Sequence, residues 1–163
     1  MSVLTILLLF LLILLVILSG FLSGSETSIT ATSKARIISK IKKGSKRANY
    51  VLKILNKKDS VITSLLLSNN LVNILASSLA TAFFYDLFGV EGIFYATLIM
   101  TVVIVIFAEV LPKTYAINRP NRTALLISPI IYYLNKILFI FVFLINLIVR
   151  LVFRKSDNDI KNK

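Results

Sequence analysis

Apolar and polar positions fall into long blocks along this chain. Met1 to Leu22 is almost unbroken Leu, Ile, Val and Phe, with Ser2, Thr5, Ser19 and Gly20 as its small or polar interruptions. At about 1.5 Å per residue such a run crosses roughly 30 Å of hydrocarbon, so it predicts a first spanning helix. It lacks a basic leader and exceeds the roughly 7–15 apolar residues of a secretory signal, which argues against a cleaved peptide. Val61 to Tyr85 predicts a second span, and Ile93 to Leu111 a third that ends at Pro112. Between the first two spans, Ile37, Ile38 and Ile41, then Val51, Leu52, Ile54 and Leu55, recur at helical spacing. They predict two short amphipathic helices lying on the inner leaflet, separated by Gly44.

Charge sets the direction of the spans. Lys34 to Lys58 carries ten basic residues and no acid, which makes this loop cytoplasmic and puts the N-terminus outside. The turn Asp86 to Gly92 has Asp86 and Glu91 and no base, as an outer loop should, while Lys113, Arg119 and Arg122 return the chain to the cytoplasm. A last apolar block, Ala124 to Phe153, is harder to read. As a fourth span it would leave Arg150, Arg154 and Lys155 outside, against the charge rule. At 100° per residue Asn135, Lys136, Asn146, Arg150 and Arg154 share an arc of about 100°, interrupted by Phe139, Phe143 and Phe153, so this block predicts a re-entrant or belt-like helix near the inner interface. Pro129 is expected to separate an initial segment from it. The reading is an all-α, multi-pass plasma-membrane unit over residues 1–155, with three spans, the N-terminus outside and the C-terminus cytoplasmic; a fourth span is the alternative. Residues 156–163 form a polar tail expected to be disordered.

Composition agrees. Hydrophobic residues make up 57% of the 163 and charged residues 16%, against about 45–50% and 25% in soluble domains. Three or four spans fill this length, leaving no room for a large extramembrane catalytic domain. With no Cys and no His, disulfides, the usual zinc and haem sites and Ser-His or Cys-His nucleophiles are excluded. No nucleophile and base pair is visible, so an enzyme is not expected. The net charge of +12 is read as loops facing anionic inner-leaflet lipid, not as a nucleic-acid surface.

What chemistry remains lies in polar groups within the spans, which are expensive there and mark sites or pathways. Asn69, Asn73 and Ser77 follow one another at four-residue intervals, a polar stripe within about 80° of arc; Asn70 lies beside it, Ser64 and Ser68 on another face. Hydrogen bonding between helices is the alternative use of such residues. Glu109 stands three residues before Pro112, whose missing N–H should break the helix and free the Ala108 carbonyl beside the carboxylate. Carboxylate, carbonyl and side-chain oxygens together suit a hard cation such as Mg²⁺ or Ca²⁺; a pair with Lys113 at i+4 is the plainer role for Glu109. Ser23-Gly24-Ser25-Glu26 could equally be a helix end, with Gly24 as an αL stop and Ser25 to Ser28 recapping the next helix.

Ser-Gly-Ser-Glu-Thr at 23–27, Ser-Asn-Asn-Leu-Val-Asn at 68–73 and Glu-Val-Leu-Pro-Lys-Thr at 109–114 occur in this order on three spans, with the basic loop between the first two. In this the chain, over about residues 3–153, resembles the transmembrane domain of the CorC and cyclin M (CNNM) family of magnesium transporters. The resemblance implies a homodimer of three-span protomers with juxtamembrane helices, holding dehydrated Mg²⁺ in an inward-facing cavity. It assigns as ligands Ser23, with Ser25 as its rival, Asn69, Asn73 and the backbone from Glu109 to Tyr115 around the helix break at Pro112. Glu109 is the acid of the family's Gly-Glu-x-x-Pro motif, with Ala108 in place of glycine. Members normally continue into a cytoplasmic CBS-domain pair that binds ATP, absent from this chain, which points to an excised membrane domain or a short relative.

The function implied is Mg²⁺ transport, with export as the suggested direction and Na⁺ as the suggested coupling ion. Two other readings stand beside it. One is a Mg²⁺-sensing membrane scaffold, which needs the same ligands; the other is a small proton-coupled multidrug exporter built on Glu109.

Overall fold

A computed structural model describes residues 3–141 together with residues 143, 144 and 147. Every element among them is helical: α1 (Val3–Ala31), α2 (Lys34–Lys42), α3 (Lys46–Leu55), α4 (Lys58–Phe88), α5 (Glu91–Val103), a π-helical segment (Ile104–Val110), α6 (Leu111–Asn118) and α7 (Pro120–Ile137). Three continuous helical stretches among the described residues are long and apolar enough to cross a bilayer: Thr5–Ala31, Lys58–Phe88 and Glu91–Asn118. The third is composite, made of α5, the π-helical segment and α6 end to end. Their outer surfaces expose large apolar side chains, among them Phe10, Ile74, Phe94 and Phe107. In water that would be an aggregating surface; in lipid it is the expected one. The chain is thus an all-α membrane domain.

α1 packs against α4 through Leu22, Ile29, Val61, Leu65 and Val72, and Ile127 and Ile131 of α7 close the same cluster. α4 and α5 form a hairpin joined at Gly89 and Val90. The two short basic helices occur where the apolar spacing predicts, and Gly44, at φ +83°, makes the turn between them, a conformation that costs glycine little. Their apolar faces are used differently from expectation. Ile37, Ala48 and Val51 are buried against one another and Ala124 of α7, so these helices spend their apolar surface on protein packing as well as on any lipid.

Two local expectations are corrected. Gly24 does not stop α1, which continues to Ala31 with Gly24 inside it; Ser25, Thr27 and Ser28 return hydrogen bonds to the carbonyls of Phe21, Ser23 and Ser25 within the helix and cap nothing. Pro129 does not divide α7, which runs unbroken from Pro120 to Ile137; Ser128 Oγ stands 3.3 Å from both the Leu125 carbonyl, which loses its backbone donor, and the Arg47 carbonyl of α3. Of the expected polar stripe, Lys136 is exposed, and Asn135 is half-buried at the edge of an open cavity, its Oδ1 accepting from Ser64 Oγ at 2.7 Å and Ser60 Oγ at 3.3 Å and so tying α7 to α4. The rest of the expected polar stripe (Asn146, Arg150 and Arg154), with Phe153 and the tail 156–163, lies outside the described residues.

Candidate functional site

Ser19 and Ser23 are one helical turn apart on α1, as Asn69 and Asn73 are on α4, so each pair shares a face. The α1–α4 packing brings these faces together. Ser19 Oγ lies 2.8 Å from Asn69 Oδ1 and 2.5 Å from Asn73 Oδ1. One hydroxyl has one proton, so it donates to only one amide oxygen at a time. The second amide oxygen is crowded against it without that proton. Ser19 and Ser23 are completely buried, Asn69 is buried and Asn73 half-buried. Ser23 Oγ is the buried side-chain oxygen with no hydrogen-bond partner among the described residues. A buried hydroxyl left without a partner is costly and calls for a reason.

The composite third span closes against α1 beside this cluster. A Cβ at Gly20 would stand 3.1 Å from both the Phe107 carbonyl oxygen and Pro112 Cγ, and one at Gly24 would stand 3.3 Å from Pro112 Cβ. Glycine one turn apart therefore lets the span approach within backbone contact. The Leu111 N–H donates to the Ile106 carbonyl, five residues back. In that register the next donor would be Pro112, which has no N–H, so the carbonyl it fails to serve is that of Phe107. This replaces the expected break at Pro112 and the freed Ala108 carbonyl: the helix passes through Pro112 and is widened before it, from Ile104 to Val110.

Of the residues expected from sequence, Ser23, Asn69 and Asn73 share this region. Ser25 and Tyr115 are not brought to it. Ser25 Oγ donates to the Phe21 carbonyl at 2.6 Å, and the Tyr115 side chain, whose backbone was the expected ligand, is exposed. Both line a small cavity with Gly20, Gly24 and Pro112, along the contact of α1 with the third span. Glu109 lies in the π-helical segment, half-buried, and makes no ion pair with Lys113. Ser77, next on the Asn stripe, opens onto a cavity of 320 Å³ between α4 and the third span, which Thr81, Thr97 and Thr101 also line. No three His, Cys, Asp or Glu side chains cluster among the described residues, so any cation here would be held by hydroxyl, amide and carbonyl oxygen. Ser19 was missed in the sequence. It reads as one more small residue in a Leu-rich run, and its phase, four residues before Ser23, is the signal that marks it.

Three apolar spans enclosing an oxygen-lined polar cluster, with basic helices at one end, define a multi-pass helical membrane domain. The chain belongs to the cyclin M transmembrane N-terminal domain (CNNM) family, whose pattern it matches over residues 10–162. It is 39% identical over 137 residues to the UPF0053 inner membrane protein YfjD of Escherichia coli, covering 84% of this chain and 32% of that protein. It is 37% identical over 130 residues to a UPF0053 protein of Haemophilus influenzae, covering 80% and 31%. A putative DUF21 domain-containing chloroplastic protein of Arabidopsis thaliana is 32% identical over 123 residues, covering 75% and 18%. The chain spans about a third of the length of the two bacterial relatives.

Proposed function

We propose that this domain carries Mg²⁺ across the membrane, bound without its full water shell between α1, α4 and the π-helical segment. The observation that carries this reading is the set of crowded and unpartnered oxygens: Ser19 Oγ against Asn69 and Asn73 Oδ1, with Ser23 Oγ buried and unpaired nearby. Two oxygens bound side by side on Mg²⁺ at about 2.0–2.1 Å lie about 2.9 Å apart, close to the 2.8 Å between Ser19 Oγ and Asn69 Oδ1. An ion here would turn the Ser19 proton away and give the Ser23 hydroxyl its missing partner. In this reading the Phe107 carbonyl and the Glu109 carboxylate, both in the widened segment, supply the further oxygens. The cavity beyond Ser77 supports an outer route, since it continues the Asn stripe toward the α4–α5 turn.

In this reading the protomer works as a homodimer, exports the ion and couples export to Na⁺ entry. The protein is a carrier and not an enzyme. Calorimetric titration of the purified protein with MgCl₂ tests the site. Asn73→Ala, and separately Glu109→Ala, should abolish measurable binding while leaving a folded protein of unchanged mass in detergent. Wild-type affinity in Asn73→Ala would overturn the assignment. Mg²⁺ flux into vesicles containing the binding-competent protein then separates a carrier from a sensor.

A further inference from the structure

A second site lies away from the ion cluster, where α3, the first turn of α4 and the end of α7 meet. A cavity of 380 Å³ opens there, lined by Lys53, Lys57 and Lys136 together with Ile54, Tyr132 and Phe139. Among the described residues no acid lines it. The three lysines are exposed and form no ion pair. Lys53 Nζ stands 5.6 Å from the centre of the Tyr132 ring and 5.9 Å from that of Tyr50, a cation–π arrangement that holds one ammonium at the cavity wall. The floor, Ile54, is buried.

The surroundings say what kind of anion would fit. Just past Lys136 the chain presents Ile137, Phe139 and Ile140, which are 75%, 58% and 69% exposed. The cavity therefore has uncompensated positive charge on one side and a bare apolar surface continuous with its other wall. It adjoins the start of the α4 span at Lys58, the end carrying the basic loop that the charge rule assigns to the cytoplasm. A free phosphate would satisfy the lysines and leave the apolar wall bare; an anionic phospholipid would satisfy both, its phosphate among the ammonium groups and its acyl chains along Phe139 and Ile140. We propose that this cavity is a specific site for one anionic phospholipid of the inner leaflet.

Native mass spectrometry of the purified protein tests this, titrated with phosphatidylglycerol or phosphatidylcholine at matched concentrations. The expected result is one phosphatidylglycerol adduct retained much more tightly than the following ones, with no counterpart for phosphatidylcholine. The triple variant Lys53→Gln/Lys57→Gln/Lys136→Gln should weaken that first adduct on the order of a hundredfold, at about fivefold per lysine. Lys40→Gln/Lys42→Gln/Lys43→Gln, an equal change of charge at the end of α2, should leave it within about twofold. Equal loss in both variants, or retention in the cavity variant, would overturn the proposal. So would displacement of the lipid by an equal concentration of glycerol phosphate, which would make this a soluble-phosphate site. None of these outcomes depends on Mg²⁺ binding, and all the substituted lysines are exposed.

Discussion

At the scale of single residues, the informative atom is Ser23 Oγ, buried and without a partner. A purely structural hydroxyl in that state is a cost that alanine would remove. Ser23→Ala should therefore leave the thermal midpoint of the Mg²⁺-free protein unchanged or raise it, by up to about 1 kcal/mol in stability, while weakening Mg²⁺ binding at least tenfold. Thermal unfolding with and without MgCl₂ reads both effects, and a variant that loses stability but keeps wild-type affinity would remove Ser23 from the site. The amides were legible beforehand because Asn at four-residue spacing is conspicuous in an apolar span. Ser19 was not, because serine is ordinary in such spans and its partners come from α4, 50 and 54 residues away. Ser25 reads as well as Ser23 in the linear motif. The turn of the helix separates them, and the Phe21 carbonyl takes up the Ser25 proton.

Among elements, the spans and the amphipathic pair follow from local pattern, whereas the shape of the third span does not. Pro112 announces a disturbance, but whether it breaks the helix or widens it depends on what packs against it. Gly20 and Gly24 offer a notch in α1, and the widened turn fills it. Gly20→Val should force this contact apart, since the neighbours are a backbone carbonyl and a rigid proline ring. The expected cost is about 1–3 kcal/mol, as for other overpacked interiors, read as a lower midpoint in a detergent-solubilised melt and accompanied by weaker Mg²⁺ binding. Likewise Gly24 and Pro129 read locally as helix breakers. The helices run on through both, with Gly24 packed closely against Pro112 and the Ser128 hydroxyl beside the Leu125 carbonyl.

For the whole molecule, three spans among the described residues would place the loop between α1 and α4 and the turn between α4 and α5 on opposite sides of the membrane. The orientation expected from the basic loop is open to direct test, because the chain contains no cysteine. A single cysteine at Ser45 should resist a membrane-impermeant maleimide in intact cells and react after permeabilisation, while one at Val90 should react in both. The reverse pattern would invert the topology. Helical architecture was legible because lipid imposes it on any chain this apolar. What the last apolar block does was less so, since α7 spends Ala124, Ile127 and Ile131 on the protein interior and Asn135 on α4. The widened turn in the third span has one more consequence. A π-helical turn holds one residue more than a regular turn needs, so it behaves as an insertion that the fold has absorbed. Removing Val105 should let the span relax into an unbroken α-helix with both flanks in register, and the protein should still accumulate in the membrane. The same deletion at Leu98, in the regular helix α5, would rotate everything beyond it by about 100°. The third span thus carries its own spare length, at the point where shortening it would flatten the wall of the proposed ion site.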